Sequence, residues 1–115
     1  MTTDTEIEKE IQTKGLTSPR VTPQRIEDVI AEEYTFTVAS ALAGTPGESS
    51  PPLKLLTICV LVLKNGFTVT GESACASPEN FNAELGAKIA RKHATDKIWA
   101  LEGYLLKQQL HERNS

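Results

Sequence analysis

The spacing of apolar residues changes several times along the chain, and each change marks an element. Around Val60-Leu61-Val62-Leu63 and Phe67-Thr68-Val69-Thr70 the pattern is that of paired strands. Asn65-Gly66 lies between them, and both residues tolerate positive φ, so the sequence predicts a two-residue hairpin turn. That loop sets Lys64 against Phe67, Val62 against Val69, Leu61 against Thr70 and Val60 against Gly71. One face then holds Val60, Val62, Phe67 and Val69. The other holds Cys59, Leu61, Leu63, Thr68 and Thr70. Both faces of the first strand are apolar, which predicts a central strand covered on both sides. It begins at Leu53 and ends at Lys64; its partner runs from Phe67 to Glu72.

Upstream, Thr3-Asp4-Thr5-Glu6 matches a capping box, with Ile7 and Ile11 following at i, i+4. Lys14-Gly15 closes this short helix. Leu16 to Arg20 reads as an extended linker. Thr22 caps the next helix, Pro23 occupies its first position, and Val21 and Ile26 form a hydrophobic staple. Ile26, Val29 and Ile30 make its apolar face; Glu27, Asp28, Glu32 and Glu33 make the charged one. Tyr34 to Val38 alternates with period two and predicts a strand. Thr45 to Pro52 is a loop by composition.

Beyond the hairpin, Ser73 to Ser77 crosses into a long helical pattern capped by Ser77 and opened by Pro78. Phe81, Leu85 and Ile89 start an apolar stripe that Ala90, Ala94, Ile98, Leu101 and Leu105 continue. No breaker interrupts Pro78 to Leu110, so the segment predicts one helix about 50 Å long. The far end, with Trp99, Tyr104, Leu105 and Leu106, exceeds what a globule of this length spans, and this predicts self-association. The expected fold is α+β: a small antiparallel sheet with a central hairpin, an N-terminal helix and a long C-terminal helix. The expected organisation is an arm or short helix over residues 1–20, one domain over 21–110 and a frayed tail over 111–115.

The chain has 115 residues, 39% hydrophobic and 23% charged, with net charge −3. This is ordinary globular composition, and it gives no reason to expect nucleic acid as partner. The acidic N-terminus is not a signal peptide, and the apolar run Leu55 to Leu63 is too short for a bilayer. Two cysteines, Cys59 and Cys75, predict reduced thiols in a cytoplasmic protein.

No catalytic constellation emerges. His93 and His111 are the only histidines, and neither sits in metal-ligand spacing. No phosphate-binding glycine loop is present. Cys75 has no evident base. Glu72, beside Thr70 on its strand, can accept hydrogen bonds from a ligand, and Phe67 can offer a ring. Against each stands a plainer role: a carboxylate in water, a core aromatic, a small buried thiol. Lys88, Arg91, Lys92 and Lys97 form a basic stretch. Glu84–Lys88 and Lys92–Asp96 are spaced to pair along the helix, whereas Arg91 has no acid four residues away on either side.

The run Leu63-Lys64-Asn65-Gly66-Phe67-Thr68-Val69-Thr70-Gly71-Glu72-Ser73-Ala74-Cys75 resembles a family of small tailed-phage and prophage proteins. So do Pro78 to Asn82, Leu85-Gly86, Lys88 to Arg91, Lys97 to Trp99, Leu101 to Leu106 and, upstream, Leu16 to Pro23. The similarity extends to the Thoeris anti-defence sponges of the first described type, homo-oligomers that hold a cyclised ADP-ribose signal, some also cyclic oligonucleotides, without cleaving it. The resemblance implies a non-enzymatic protein without cofactor or metal, whose partners are a nucleotide-type signal and further copies of itself. By residue chemistry the candidate ligand contacts are Arg20, Phe67, Thr70, Glu72, Asn80, Phe81 and Arg91. An aromatic stacks on a base, an Arg takes phosphate and an Asn reads polar edges. The site is expected beside Ser73 to Ser77 and the start of the long helix. The rival expectation is a phage accessory protein that inhibits a host protein by direct binding.

Overall fold

The structure is a computed structural model describing residues 3–16 and 18–114. The chain forms two compact units, Met1–Val29 with Ile98–Ser115, and Ile30–Lys97.

In the first unit, helix α1 (Asp4–Thr13) opens on the expected capping box, with Thr3 and Glu6 each accepting from the other's backbone N–H. It closes as the sequence predicts. Gly15, at φ 70°, donates to Gln12, and Leu16 donates to Ile11, so the last carbonyls of the helix are satisfied. Helix α2 (Pro23–Asp28) is capped by Thr22, whose hydroxyl accepts from the Arg25 N–H. Ile26 and Val29 are buried, and Trp99 donates its indole N–H to Asp4 at 3.1 Å.

The second unit holds a three-stranded antiparallel sheet in the order β1 (Ile30–Thr37), β2 (Leu56–Leu63), β3 (Thr68–Ala74). The α+β expectation holds. Strand β1 starts at Ile30, earlier than the alternation suggests, so Ile30, Glu32 and Glu33 belong to the sheet and not to a helix face. It stops at Thr37, which caps the short helix α3 (Val38–Ala41). Two 3-10 turns, Pro46–Ser49 and Pro51–Leu55, lead into β2, delaying its start past Leu53.

The hairpin register differs by one residue from the expected one. Leu61 faces Val69, Val60 faces Thr70 and Cys59 faces Gly71. Only Gly66 has positive φ, 89°; Asn65 does not. The loop therefore has three residues. Gly66 donates to the Leu63 carbonyl, and Leu63 donates to Phe67, both at 2.8 Å. Asn65 stays right-handed because its side chain accepts the Phe67 N–H at 3.0 Å, and the positive φ falls on Gly66 alone. The shift puts Val69 on the face of Cys59, Leu61 and Leu63, all buried, and puts Thr68 and Thr70 beside Val62 and Val60.

Helix α4 (Ala83–Arg113) is continuous over 31 residues. It crosses the buried sheet face on a small-residue stripe. A Cβ at Gly71 would lie 2.1 Å from the Ala90 carbonyl oxygen and 2.4 Å from the Ala94 nitrogen, so helix backbone rests directly on strand backbone. The buried line on this helix in the second unit is Gly86, Ala90 and Ala94. The expected stripe is thereby displaced: Leu85 is 55% and Ile89 39% exposed. Strand β2 is central as expected, but only one of its faces is covered. Leu56, Ile58, Val60 and Val62 remain half-buried on the other. The tail expected to fray is helical as far as Arg113, and Ser115 lies outside the described residues, as do Met1, Thr2 and Thr17.

Candidate functional site

The chain leaves β3 with Cys75 donating its backbone N–H to Leu55. It then turns through Pro78–Asn80, a 3-10 turn, before α4 begins. Ser77 does not cap the long helix. Its hydroxyl donates to Glu79 at 2.7 Å, and that bond holds the Glu79 carboxyl below its ordinary pKa. The cap is Asn82, whose side-chain oxygen accepts the Leu85 N–H at 2.9 Å. Asn80 and Phe81 therefore precede the helix instead of forming its first turn.

Between the strand exit and the helix start lies a crevice of about 140 Å³. Ser73, Ala74 and Cys75 form one wall, Asn80, Phe81 and Asn82 a second, and Leu85, Gly86 and Ile89 a third, with Leu55 at the base. The Cys75 thiol donates to the Ser77 carbonyl at 3.1 Å. No charged side chain lines the crevice among the described residues. Its volume falls below the ~300 Å³ at which sites for drug-sized ligands begin, so it suits one ring system. A ring there would lie among Phe81, Asn80, Asn82 and the aliphatic Leu55, Leu85 and Ile89.

Of the residues expected to contact a ligand, Asn80 and Phe81 meet at this crevice. Thr70 and Glu72 lie on β3, exposed, on the uncovered sheet face. Phe67 sits at the hairpin tip, 55% exposed. Arg91 reaches the sheet instead: its Nε donates to both Glu33 oxygens, at 3.0 and 3.1 Å, supplying the distant acid its helix spacing lacks. Arg20, in the other unit, forks onto both oxygens of Glu8, which hold that carboxyl at about 2. Two other residues of the basic stretch pair as their spacing predicts, Lys88 with Glu84 and Lys92 with Asp96. His93 donates from Nδ1 to the Glu72 carbonyl at 2.7 Å, which fixes its tautomer and ties α4 to β3.

Asn82, Leu85 and Ile89 are crevice residues the sequence assigned elsewhere. For Asn82 a signal existed, an Asn immediately before an uninterrupted helical run. For Leu85 and Ile89 it did not, because an apolar i, i+4 pair reads equally as core.

Residues 21–110 match the profile of the Phage protein (N4 Gp49/phage Sf6 gene 66) family. The chain belongs to this family. No curated protein and no solved structure matches it. The crevice, with all three of its walls, and the whole sheet fall inside the matched span. Among the described residues no helix is long and apolar enough to cross a membrane, and no three His, Cys, Asp or Glu side chains gather to hold a metal.

Proposed function

We propose that this phage protein captures a nucleotide signal of the host's defence, of the cyclic ADP-ribose or cyclic oligonucleotide type, and holds it without cleaving it. The observation that carries the reading is the crevice at the start of α4, where Asn80, Phe81 and Asn82 line a space the size of a nucleobase. Stacking on Phe81 holds the ring, and the carboxamides read its polar edge. The ribose and phosphates extend beyond so small a crevice, toward solvent or a second copy of the chain. Capture without turnover is supported by the lining. Of its two nucleophilic side chains, Ser73 and Cys75, the Cys75 thiol donates a hydrogen bond to the Ser77 carbonyl, and among the described residues no His, Asp or Glu lines the crevice to serve either as a base. Sequestration needs affinity alone, so such a lining suffices.

Incubation with cyclised ADP-ribose and with cyclic dinucleotides, followed by heat denaturation, tests this. Intact nucleotide released from the wild type, and much less from Phe81→Ala of equal stability, is the expected result. Altered nucleotide, or none retained, refutes it.

The rival reading, direct binding to a host protein, has one observation in its favour. The uncovered sheet face presents Tyr34, Ile58, Val60 and Val62, with Glu32 and Glu72 at its two edges. Such a face fits a partner whose docking surface is apolar with a basic rim. Under this reading Val60→Lys abolishes anti-defence activity while nucleotide retention is unchanged.

A further inference from the structure

Gly86 is buried in the first turn of α4, and its backbone N–H donates to the Asn82 carbonyl at 2.9 Å. A glycine in a helix costs stability relative to alanine, through the backbone freedom that folding removes. The position therefore calls for a reason. At Gly71 the reason is packing, since a Cβ would lie 2.1 Å from the Ala90 carbonyl oxygen. Gly86 differs. A Cβ there would lie 3.2 Å from the Thr57 hydroxyl oxygen, 3.8 Å from the Thr57 Cβ and 4.0 Å from Cε2 of the Phe81 ring. Of these only the first is tight, and a shift of a few tenths of an ångström relieves it. The core thus tolerates a methyl group at this point, and core packing alone does not account for the glycine.

What remains is the crevice. Gly86 lines it together with Phe81, and the edge of the Phe81 ring comes within contact distance of the place a side chain would take. We infer that Gly86 is the size filter of the crevice: its bare backbone leaves depth for a two-ring base beside Phe81, and a side chain at this position takes that depth away. The inference rests on the reading of the crevice as the seat of a base. A methyl group, about the size of a water molecule at ~30 Å³, is a sizeable part of a crevice of about 140 Å³. It would lie between Phe81 and Thr57. Thr57 is 4% exposed on the central strand and has little room to retreat, so the space is lost on the side of the ring. A one-ring base needs less depth and keeps its seat.

The test is NMR titration of the full chain with adenosine and with uridine, which are both uncharged and differ in the base. Wild type should bind adenosine the more tightly, with shifts centred on Leu85, Gly86 and Ile89. Gly86→Ala should weaken adenosine binding roughly tenfold or more, as a single carbon does in an apolar pocket, and change uridine binding by less than about threefold. A general loosening of the fold would weaken both nucleosides alike. Gly86→Ala combined with Thr57→Ala removes the one tight contact and keeps the methyl group beside the ring, so it should discriminate as Gly86→Ala does. Unchanged adenosine binding in Gly86→Ala, equal loss of both nucleosides, or recovery of adenosine in the double variant would overturn the proposal, as would a wild type that binds no adenosine. The capture reading fails separately. A wild type that binds adenosine in the crevice but retains no cyclic nucleotide refutes capture and leaves the filter standing. Retention of nucleotide by a protein whose Gly86→Ala variant does not discriminate refutes the filter alone.

Discussion

Gly71 shows how one missing side chain sets the fold. It sits mid-strand, where glycine costs conformational entropy and packs nothing. Its return is close approach: helix α4 lies where a Cβ would be, 2.1 Å from the Ala90 carbonyl oxygen. Backbone cannot move aside as a flexible side chain can. Gly71→Ala should therefore destabilise by ~1–3 kcal/mol or more, as overpacking does. Gly103 is the control, since nothing lies within 4 Å of its missing Cβ. In a helix interior, Gly103→Ala should stabilise by ~0.5–1 kcal/mol. Urea denaturation of the two variants should give opposite signs. Glu8 makes a second prediction at this scale. The hydrogen bonds from Arg20 lower its carboxyl to about 2. A depressed carboxylate stabilises the folded state above its unfolded pKa, near 4.5, and that contribution is lost as pH falls toward about 2. Glu8→Gln should lessen the pH dependence within this window by the share of Glu8, leaving that of other lowered carboxyls such as Glu79. Carboxyl chemical shifts followed through an acid titration would give the folded pKa directly.

Among the elements, the caps of the two N-terminal helices were readable from sequence because they are local, whereas that of α4 falls on Asn82 and not on the expected Ser77. Thr3, Thr22 and Gly15 each satisfy backbone groups within a few residues, and short motifs encode that. The sheet was readable as three strands but not in its register. Asn65-Gly66 admits both a two-residue and a three-residue loop, and the choice rests on whether the Asn65 side chain takes the Phe67 N–H. One residue of slip exchanges the faces, which is why Val69 is buried and Thr70 is not. The long helix was legible in extent, but its buried stripe was not. Large apolar residues suggest a core face, yet here the sheet accepts only Gly86, Ala90 and Ala94, and Leu85 and Ile89 are left to line the crevice. Of the candidate site, its place beside Ser73 to Ser77 was legible, with Asn80 and Phe81. The pairing of Arg91 with Glu33 was not, because the two are brought together only by folding. The turn itself gives a prediction. With Gly66 at φ 89°, Gly66→Val must place a β-branched residue in the left-handed region. That should cost about 1–2 kcal/mol, read as a lowered Tm. Asn65→Ala should cost less, since it removes one exposed hydrogen bond and no strain.

For the molecule as a whole, charge poses a question the crevice answers. The chain carries a net charge of −3, and the proposed ligand carries phosphates. Long-range attraction therefore cannot gather the ligand, and the net field opposes its approach. Arg20 and Arg91, expected from sequence to take phosphate, are held on Glu8 and Glu33. Either one would have to exchange a carboxylate for the ligand, which returns little net energy at a partly exposed site. The crevice meanwhile offers a ring face and amides and no charge. Stacking and neutral hydrogen bonds are short-ranged and scarcely screened, whereas charge contacts weaken as the Debye length falls from about 10 Å at 0.1 M salt to about 3 Å at 1 M. If base recognition at Phe81 supplies the affinity, calorimetric titration with a cyclic dinucleotide should show a dissociation constant that changes by less than about threefold over that range of salt. Any trend should run toward tighter binding, because salt screens the repulsion between an acidic protein and an anionic ligand. A steep loss of affinity with salt would instead place the binding energy on the phosphates. The arginines would then have to leave their carboxylates, and the site would lie away from Phe81.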